Sequence, residues 1–203
     1  MTTSDTYKSI ASASQGVYKD LGSKFLAFAY PVESTDEVKG IVERIKKEYF
    51  DARHHCYAYR IGKDGQQWRV NDDGEPSSTA GRPILGQILS NGLSDILVVV
   101  VRYFGGTKLG VPGLIKAYRS ATADAIAGSR IIEKVAGVVY SIDFDYLQMN
   151  DVQKILKDMG ITPLHQSFDL SCHIEARVRL SLEEEFCKAL SFCRIKSLSL
   201  HSS

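Results

Sequence analysis

Residues 71–127 read NDDGEPSSTAGRPILGQILSNGLSDILVVVVRYFGGTKLGVPGLIKAYRSATADAIA, and this stretch decides the fold. It opens on an acidic turn made by Asp72, Asp73 and Glu75, followed by a short helix that Asn91-Gly92 closes. The apolar run Ile96–Val101 comes next, long enough for a strand buried on both faces. Arg102 ends that run. A glycine-rich loop follows, with Gly105, Gly106, Gly110 and Gly113 and with Lys108 among them. The loop leads into a helix with Pro112 in its first turn. Over Leu114–Ala127 the residues Leu114, Tyr118, Ala121 and Ala125 form one stripe, and Gly128 offers a C-cap. A buried strand, a flexible cationic loop and a helix N-terminus in that order present free backbone N–H groups to an anion.

These residues also carry a family resemblance. The run Gly81–Gly110 contains Arg82-Pro83-Ile84-Leu85, Val100-Val101-Arg102-Tyr103-Phe104-Gly105-Gly106 and Leu109-Gly110. Upstream stand Asp72-Asp73-Gly74-Glu75-Pro76, Thr79-Ala80-Gly81 and His54-x-Cys56-Tyr57-Ala58-Tyr59. Together they resemble the signature of the YigZ/IMPACT family over residues 25–127. The chain departs from that pattern at Ser78, where glycine is expected, and at Pro112, where a small flexible residue is expected; both departures bear on loop geometry. The resemblance implies an α+β protein. Its N-terminal α/β sandwich would be similar to the second domain of ribosomal protein S-five, followed by a ferredoxin-like βαββαβ domain, and the two would resemble the last two domains of the ribosomal translocase. Eukaryotic members look like translation regulators that relieve a stress-responsive initiation-factor kinase. Those members carry a separate N-terminal interaction domain not found in these residues, so the kinase pathway is not carried over.

Working toward the N-terminus, Gln66–Val70 and Arg53–Ile61 pair as a hairpin around the turn Gly62–Gly65. Ser34-x-x-Glu37 is a capping box. Val38, Ile41, Val42, Ile45 and Tyr49 follow at helical spacing, which predicts an amphipathic helix over Thr35–Phe50 with a solvated charged face. Lys24–Val32 reads as a strand antiparallel to residues 9–19 across a Leu21-Gly22 turn, and Met1–Thr6 is polar and expected to fray. This pattern predicts a sheet with helices on one side.

Residues 129–137 lack a clear period and mark the domain boundary, giving domains of residues 1–135 and 136–203. Beyond it the pattern is β-α-β-β-α-β. Strands are expected near Val138–Leu147, Ile161–Phe168, Ser171–Leu180 and Arg194–Leu200. Helices are expected over Asp151–Met159, capped by Asn150 and Gly160, and over Leu182–Cys193, opened by Ser181-x-x-Glu184. Alternation places Tyr140, Ile142, Phe144 and Tyr146 in the core and Asp143 and Asp145 outside, where Arg177 and Arg179 of the neighbouring strand are expected to pair with them. An RNA-recognition sheet would instead show aromatics on its open face.

Composition narrows the function classes. The 203 residues are 44% hydrophobic, enough for a core in each of two domains. The longest apolar run falls far short of about 20 residues, and the N-terminus has neither a basic start nor an apolar core, so neither a membrane span nor a signal peptide is expected and the location reads as cytoplasmic. Four cysteines without a CxxC read as buried thiols in a reducing compartment. A formal charge of +1 argues against a general nucleic-acid binder. Residues 1–135 hold 18 basic and 15 acidic side chains, so a local patch in this half is the better candidate for nucleic acid.

Two readings of the glycine loop stand open. In one it binds an anion, with Arg102, Gly105, Gly106, Lys108, Gly110, Gly113 and Arg82 as the binding residues. In the other its glycines let the following helix pack close to the sheet. Arg102, at the end of an apolar strand, must reach solvent or meet a carboxylate. Asp72, Asp73 and Glu75 line the cleft in this reading, either as turn formers and ion-pair partners of Arg82 or Arg102 or as an acid–base pair beside a phosphate. His54 joins the cleft, and Cys56 lies in the core without the exposed electropositive setting of a nucleophile. No zinc spacing exists, so neither a metal nor a cofactor is expected. The function expected from the resemblance and the loop is a non-enzymatic, translation-linked binding protein whose partner is RNA, the ribosome or another polyanion. The alternative is an enzyme acting on a small phosphorylated substrate with the same loop and the acidic turn. A protein partner on the C-terminal sheet would leave the loop without a role.

Overall fold

The computed structural model describes residues 5–169 and 171–201. The chain divides into two compact units, one spanning Tyr7–Lys134 and the other running from Val135 onward with Asp5 and Thr6.

The elements of the first unit are β1 (Thr6–Ile10), β2 (Ser14–Asp20), β3 (Ser23–Pro31), α1 (Thr35–Glu48), β4 (His54–Ile61), β5 (Gln67–Asn71), α2 (Gly81–Ser90), β6 (Ile96–Tyr103), α3 (Gly110–Ala127) and β7 (Ile131–Val135). Five strands form an antiparallel sheet in the order β2-β3-β6-β4-β5. β6 is its centre, and alternation sends Ile96, Val98 and Val100 to one face and Leu97, Val99 and Val101 to the other. All six are fully buried, and each contributes about 1.5–3 kcal/mol by leaving water. The even-numbered face packs on α2 and α3, while the odd-numbered face packs on α1 through Val38 and Ile45. Helices therefore cover both sides of the sheet, against the expectation of one. The pattern of α1 alone could not say which face it takes.

Ser34 caps α1 as its spacing predicts, its hydroxyl accepting from the Glu37 amide at 3.2 Å while the Glu37 carboxylate accepts from the Glu33 amide at 2.9 Å. Residues 131–135, read as an aperiodic boundary, instead form β7, which pairs with β1 in a two-stranded sheet. Ile-Ile-Glu-Lys-Val has no alternation to announce a strand, and its partner lies at the other end of the sequence.

The second unit contains β8 (Gly137–Phe144), α4 (Met149–Asp158), β9 (Pro163–Phe168), β10 (Cys172–Arg179), α5 (Glu183–Ser191) and β11 (Ile195–His201). Its strand order β11-β8-β10-β9 with two helices is the ferredoxin-like arrangement. Tyr140, Ile142 and Phe144 pack with Ile174, Val178, Phe186 and Leu190 in its core. Tyr146 does not join them: β8 ends at Phe144, a 3-10 turn takes over, and Tyr146 is 74% exposed. Arg177 and Arg179 do not reach Asp143 or Asp145 either. The antiparallel register sets Asp143 opposite His173 and Arg177 opposite Val139, four residues or about 13 Å along the strand. Asp143 pairs instead with His173 at 2.7 Å, and Asp145 with Lys196 at 2.7 Å.

Neither helix of this unit takes its expected N-cap, whereas Gly160, with φ of 64°, closes α4 as expected. α4 starts before Asn150, and α5 starts at Glu183 with no side-chain cap. The Ser181 hydroxyl turns to the Asp5 carboxylate, which also accepts the Ser181 amide at 3.1 Å. Asp5 is thus tied down despite the expectation of fraying; residues 1–4, which share that expectation, lie outside the described residues.

Candidate functional site

The carboxyl end of β6, the start of β4, the acidic turn and the loop into α3 enclose a cleft of about 500 Å³ in the first unit. The sheet register creates it. His54 and Phe25 stand on either side of Arg102 as its direct strand neighbours, so three side chains from three strands reach one edge together.

Arg102 is the floor. Its guanidinium lies over the rings of Phe25 at 5.4 Å and Phe104 at 5.7 Å. Its Nη1 donates to Glu75 Oε1 at 2.6 Å, and the same oxygen accepts the Tyr118 hydroxyl at 2.8 Å. Behind Tyr118 sits Cys56, whose thiol is 3.3 Å from the phenol oxygen and 3.0 Å from the Asp72 carbonyl. Burial pushes both the Cys56 thiol and the Tyr118 phenol far above their ordinary values, so both stay protonated. Cys56 is therefore a packed donor, without the thiolate a nucleophile needs. One buried group in this network stays unsatisfied: Arg102 Nε has no hydrogen-bond partner.

The three acidic residues divide sharply. Asp72 points away from the cleft and accepts the amides of Ser78 at 2.9 Å, Ala80 at 3.0 Å and Gly81 at 2.8 Å. It supplies the start of α2 with the cap that Ala80 lacks. Asp73 also lies outside the cleft, accepting the His55 amide at 2.7 Å and Lys46 Nζ at 3.1 Å. Burial would raise its pKa, but the His55 amide and the Lys46 ammonium outweigh it and hold the carboxyl below the ordinary value. Only Glu75 lines the cleft. Asp73 and Glu75 are thus not assembled as an acid–base pair, because each carboxylate already serves other partners. His54 does line the cleft, with Nδ1 2.8 Å from the Asp73 carbonyl and Nε2 3.9 Å from Glu75.

The glycine loop divides too. Gly110 lines the cleft with Lys108, while Gly105, Gly106 and Gly113 do not. Gly105 packs on the turn between β2 and β3, its amide donating to Ser23 Oγ at 3.1 Å. α3 begins at Gly110, four residues earlier than the apolar stripe suggests, and no side chain caps it. The amides of Gly110 and Val111 are left without an intrahelical acceptor, and Pro112 has no amide to satisfy. Pro112 therefore suits its place. Ser78, the other departure from the family pattern, has φ of 66°, the left-handed conformation that glycine adopts freely. Arg82 sits on α2 away from the cleft and pairs with none of the acidic turn residues among the described residues.

Arg53 and Val111, which the sequence does not single out, also line the cleft, as do Phe104 and Leu109, which belong to the family motif but are not among the expected binding residues. Arg53 directly precedes the His54 strand, which was the available signal. Counting fixed charges, Arg53, Arg102 and Lys108 face a single carboxylate, so the cleft is cationic, with apolar walls and a helix N-terminus at its rim. No group of three or more His, Cys, Asp or Glu side chains among the described residues is arranged to hold a metal ion. No helix among them is long and apolar enough to cross a membrane.

Comparison with known proteins follows the same residues. The model of the Impact N-terminal domain matches residues 21–126. An IMPACT family member of Haemophilus influenzae is 34% identical over 174 residues, covering 83% of both chains. The IMPACT family member YigZ of Escherichia coli is 37% identical over 136 residues, covering 66% of this chain and 67% of its own. A crystal structure described as that of a hypothetical protein is 30% identical, covers 98% of this chain and 97% of its own, and superposes with a TM-score of 0.71. With the family's N-terminal domain matched across the sheet and cleft, and relatives aligned over most of the length, the chain belongs to the IMPACT family.

Proposed function

We propose that this protein is a translation-linked binding protein that holds the backbone of RNA, or of another polyanion, in the cleft of its N-terminal unit. The translation link follows from membership in a family whose eukaryotic members resemble translation regulators. The observation that carries the anion reading is the unsatisfied Nε of Arg102, a buried charged donor on the floor of a cleft that already holds a surplus of cations. An orphaned donor of this kind costs roughly 1–3 kcal/mol unless a ligand or water accepts from it. Lys108, Arg53 and the uncapped amides of Gly110 and Val111 surround the same space. Phe104, 44% exposed, adds an aromatic face on which a base can stack.

A second reading, an enzyme acting on a small phosphorylated substrate, is favoured by the cleft's volume, which suits one small molecule. Salt separates the two. Each phosphate of a single strand neutralised by the protein contributes a slope of about −0.7 to log K against log [salt]. A short single-stranded RNA titrated across salt concentrations should show a slope steeper than that of one phosphate, and Lys108→Ala and Arg53→Ala should each flatten it by less than about one unit. Both side chains are exposed, so neither substitution endangers the fold. Failure to bind RNA at low salt, together with saturable binding of a phosphorylated small molecule, would replace this reading by the enzyme.

A further inference from the structure

A second depression, of about 360 Å³, lies between α2 and α3 and is lined by Ser78, Arg82, Gln87, Ile115 and Arg119 among others. Exposed arginines on helices usually belong to a solvated face. Here two of them, one from each helix, converge on one hollow that no acidic side chain lines. Neither guanidinium has an ion-pair partner among the described residues. Ser78 brings a hydroxyl to the same hollow, its backbone fixed by the bond from its amide to Asp72.

The hollow and the cleft lie along one helix, α3. Val111 lines the cleft, whereas Ile115 and Arg119 line the hollow, and spacings of four residues put all three on one face of α3. From Val111 to Arg119 that face runs about 12 Å. At the axial rise of about 3.4 Å per phosphate of a stacked strand, it spans about three to four phosphates. Guanidinium forks match phosphate oxygens bidentately, which lysine cannot do.

We infer that Arg82 and Arg119 form a second phosphate-binding site, which takes the same single RNA strand as it leaves the cleft along α3. The inference rests on the polyanion reading above and makes it specific: the ligand is a strand several nucleotides long, tracking one helix face, and a mononucleotide fills only the cleft.

The test compares a uridine oligonucleotide of about ten residues, within the range of single-strand site sizes, with a uridine dinucleotide. Each is titrated against the unaltered protein and against Arg82→Ala/Arg119→Ala. The double variant should flatten the salt slope of the long strand by about 1.4 units, two phosphates' worth, and leave the dinucleotide affinity unchanged. If the long strand binds with an unaltered slope in the double variant while Lys108→Ala still weakens it, the second site is wrong and the cleft reading stands. If neither RNA binds the unaltered protein at low salt, both fall together.

Discussion

Arg102 Nη1 and Glu75 Oε1 lie 2.6 Å apart, with 7% and 3% of their side chains exposed. This one contact joins the end of the central strand to the acidic turn and, through Tyr118, to α3. A buried pair of this kind gains little over a well-packed apolar pair, but removing one member strands the other's charge in the interior. Glu75→Ala should therefore lower the unfolding free energy by about 3–5 kcal/mol, read from urea denaturation. Arg102→Met together with Glu75→Leu should recover much of that loss. A single substitution that proves nearly neutral would show that water reaches the guanidinium and that the network is not structural.

The His173–Asp143 pair in the second unit gives a pH signature. Its Nδ1–Oδ1 distance is 2.7 Å, and the hydrogen bond that the imidazole donates to the Asp143 carboxylate raises the His173 pKa above the ordinary 6.5. The Ser197 hydroxyl and then His173 lower that of Asp143 below 3.8. The histidine's contribution to stability is fully present below pH 6.5 and fades as pH rises through its folded value. The carboxylate's is present above 3.8 and fades as pH falls through its folded value. Both groups are partly exposed, so the charged pair contributes only about 0.2–1 kcal/mol. His173→Gln should lower the melting temperature at about pH 5 more than at about pH 8. An equal loss at both would mean that packing, not charge, matters there.

How far these features were legible depends on whether local pattern decides them. The run Ile96–Val101 announces a strand covered on both faces because no polar residue interrupts it, and Ser34 and Glu37 announce the start of α1. That Arg102 needs a carboxylate is equally plain. Which one it meets is not, since Asp72, Asp73 and Glu75 are neighbours in one turn; only the fold commits Asp72 to the start of α2 and Asp73 to His55 and Lys46. Alternation likewise tells which face Asp143 and Arg177 share but not their offset along the strands, and the register puts them apart. Arg82 reads as part of the glycine-loop site because of its place in the motif, yet α2 carries it to a different hollow.

The glycines of the loop should separate by substitution, since they meet different surroundings. A Cβ on Gly105 would fall 1.9 Å from the Gly22 carbonyl carbon and 2.1 Å from the Ser23 amide nitrogen, both backbone atoms that cannot swing aside. Gly105→Ala should unseat the loop from the β2–β3 turn, costing about 1–3 kcal/mol of stability, and binding should suffer with it. Gly110 has room, its nearest neighbour being Pro112 Cδ at 4.0 Å, but its φ of 68° is one that side-chain-bearing residues adopt only under strain. Alanine there carries a penalty of about 1–2 kcal/mol, which the chain can relieve by turning the first helical residues. That rotation moves the Gly110 and Val111 amides off the cleft. Gly110→Ala should then weaken binding of a short RNA at low salt more than its modest loss of stability in urea accounts for, while leaving the salt slope intact, because amides carry no counterion-releasing charge. Unchanged affinity in Gly110→Ala would mean that the helix start contributes nothing and that Arg53, Arg102 and Lys108 hold the anion alone.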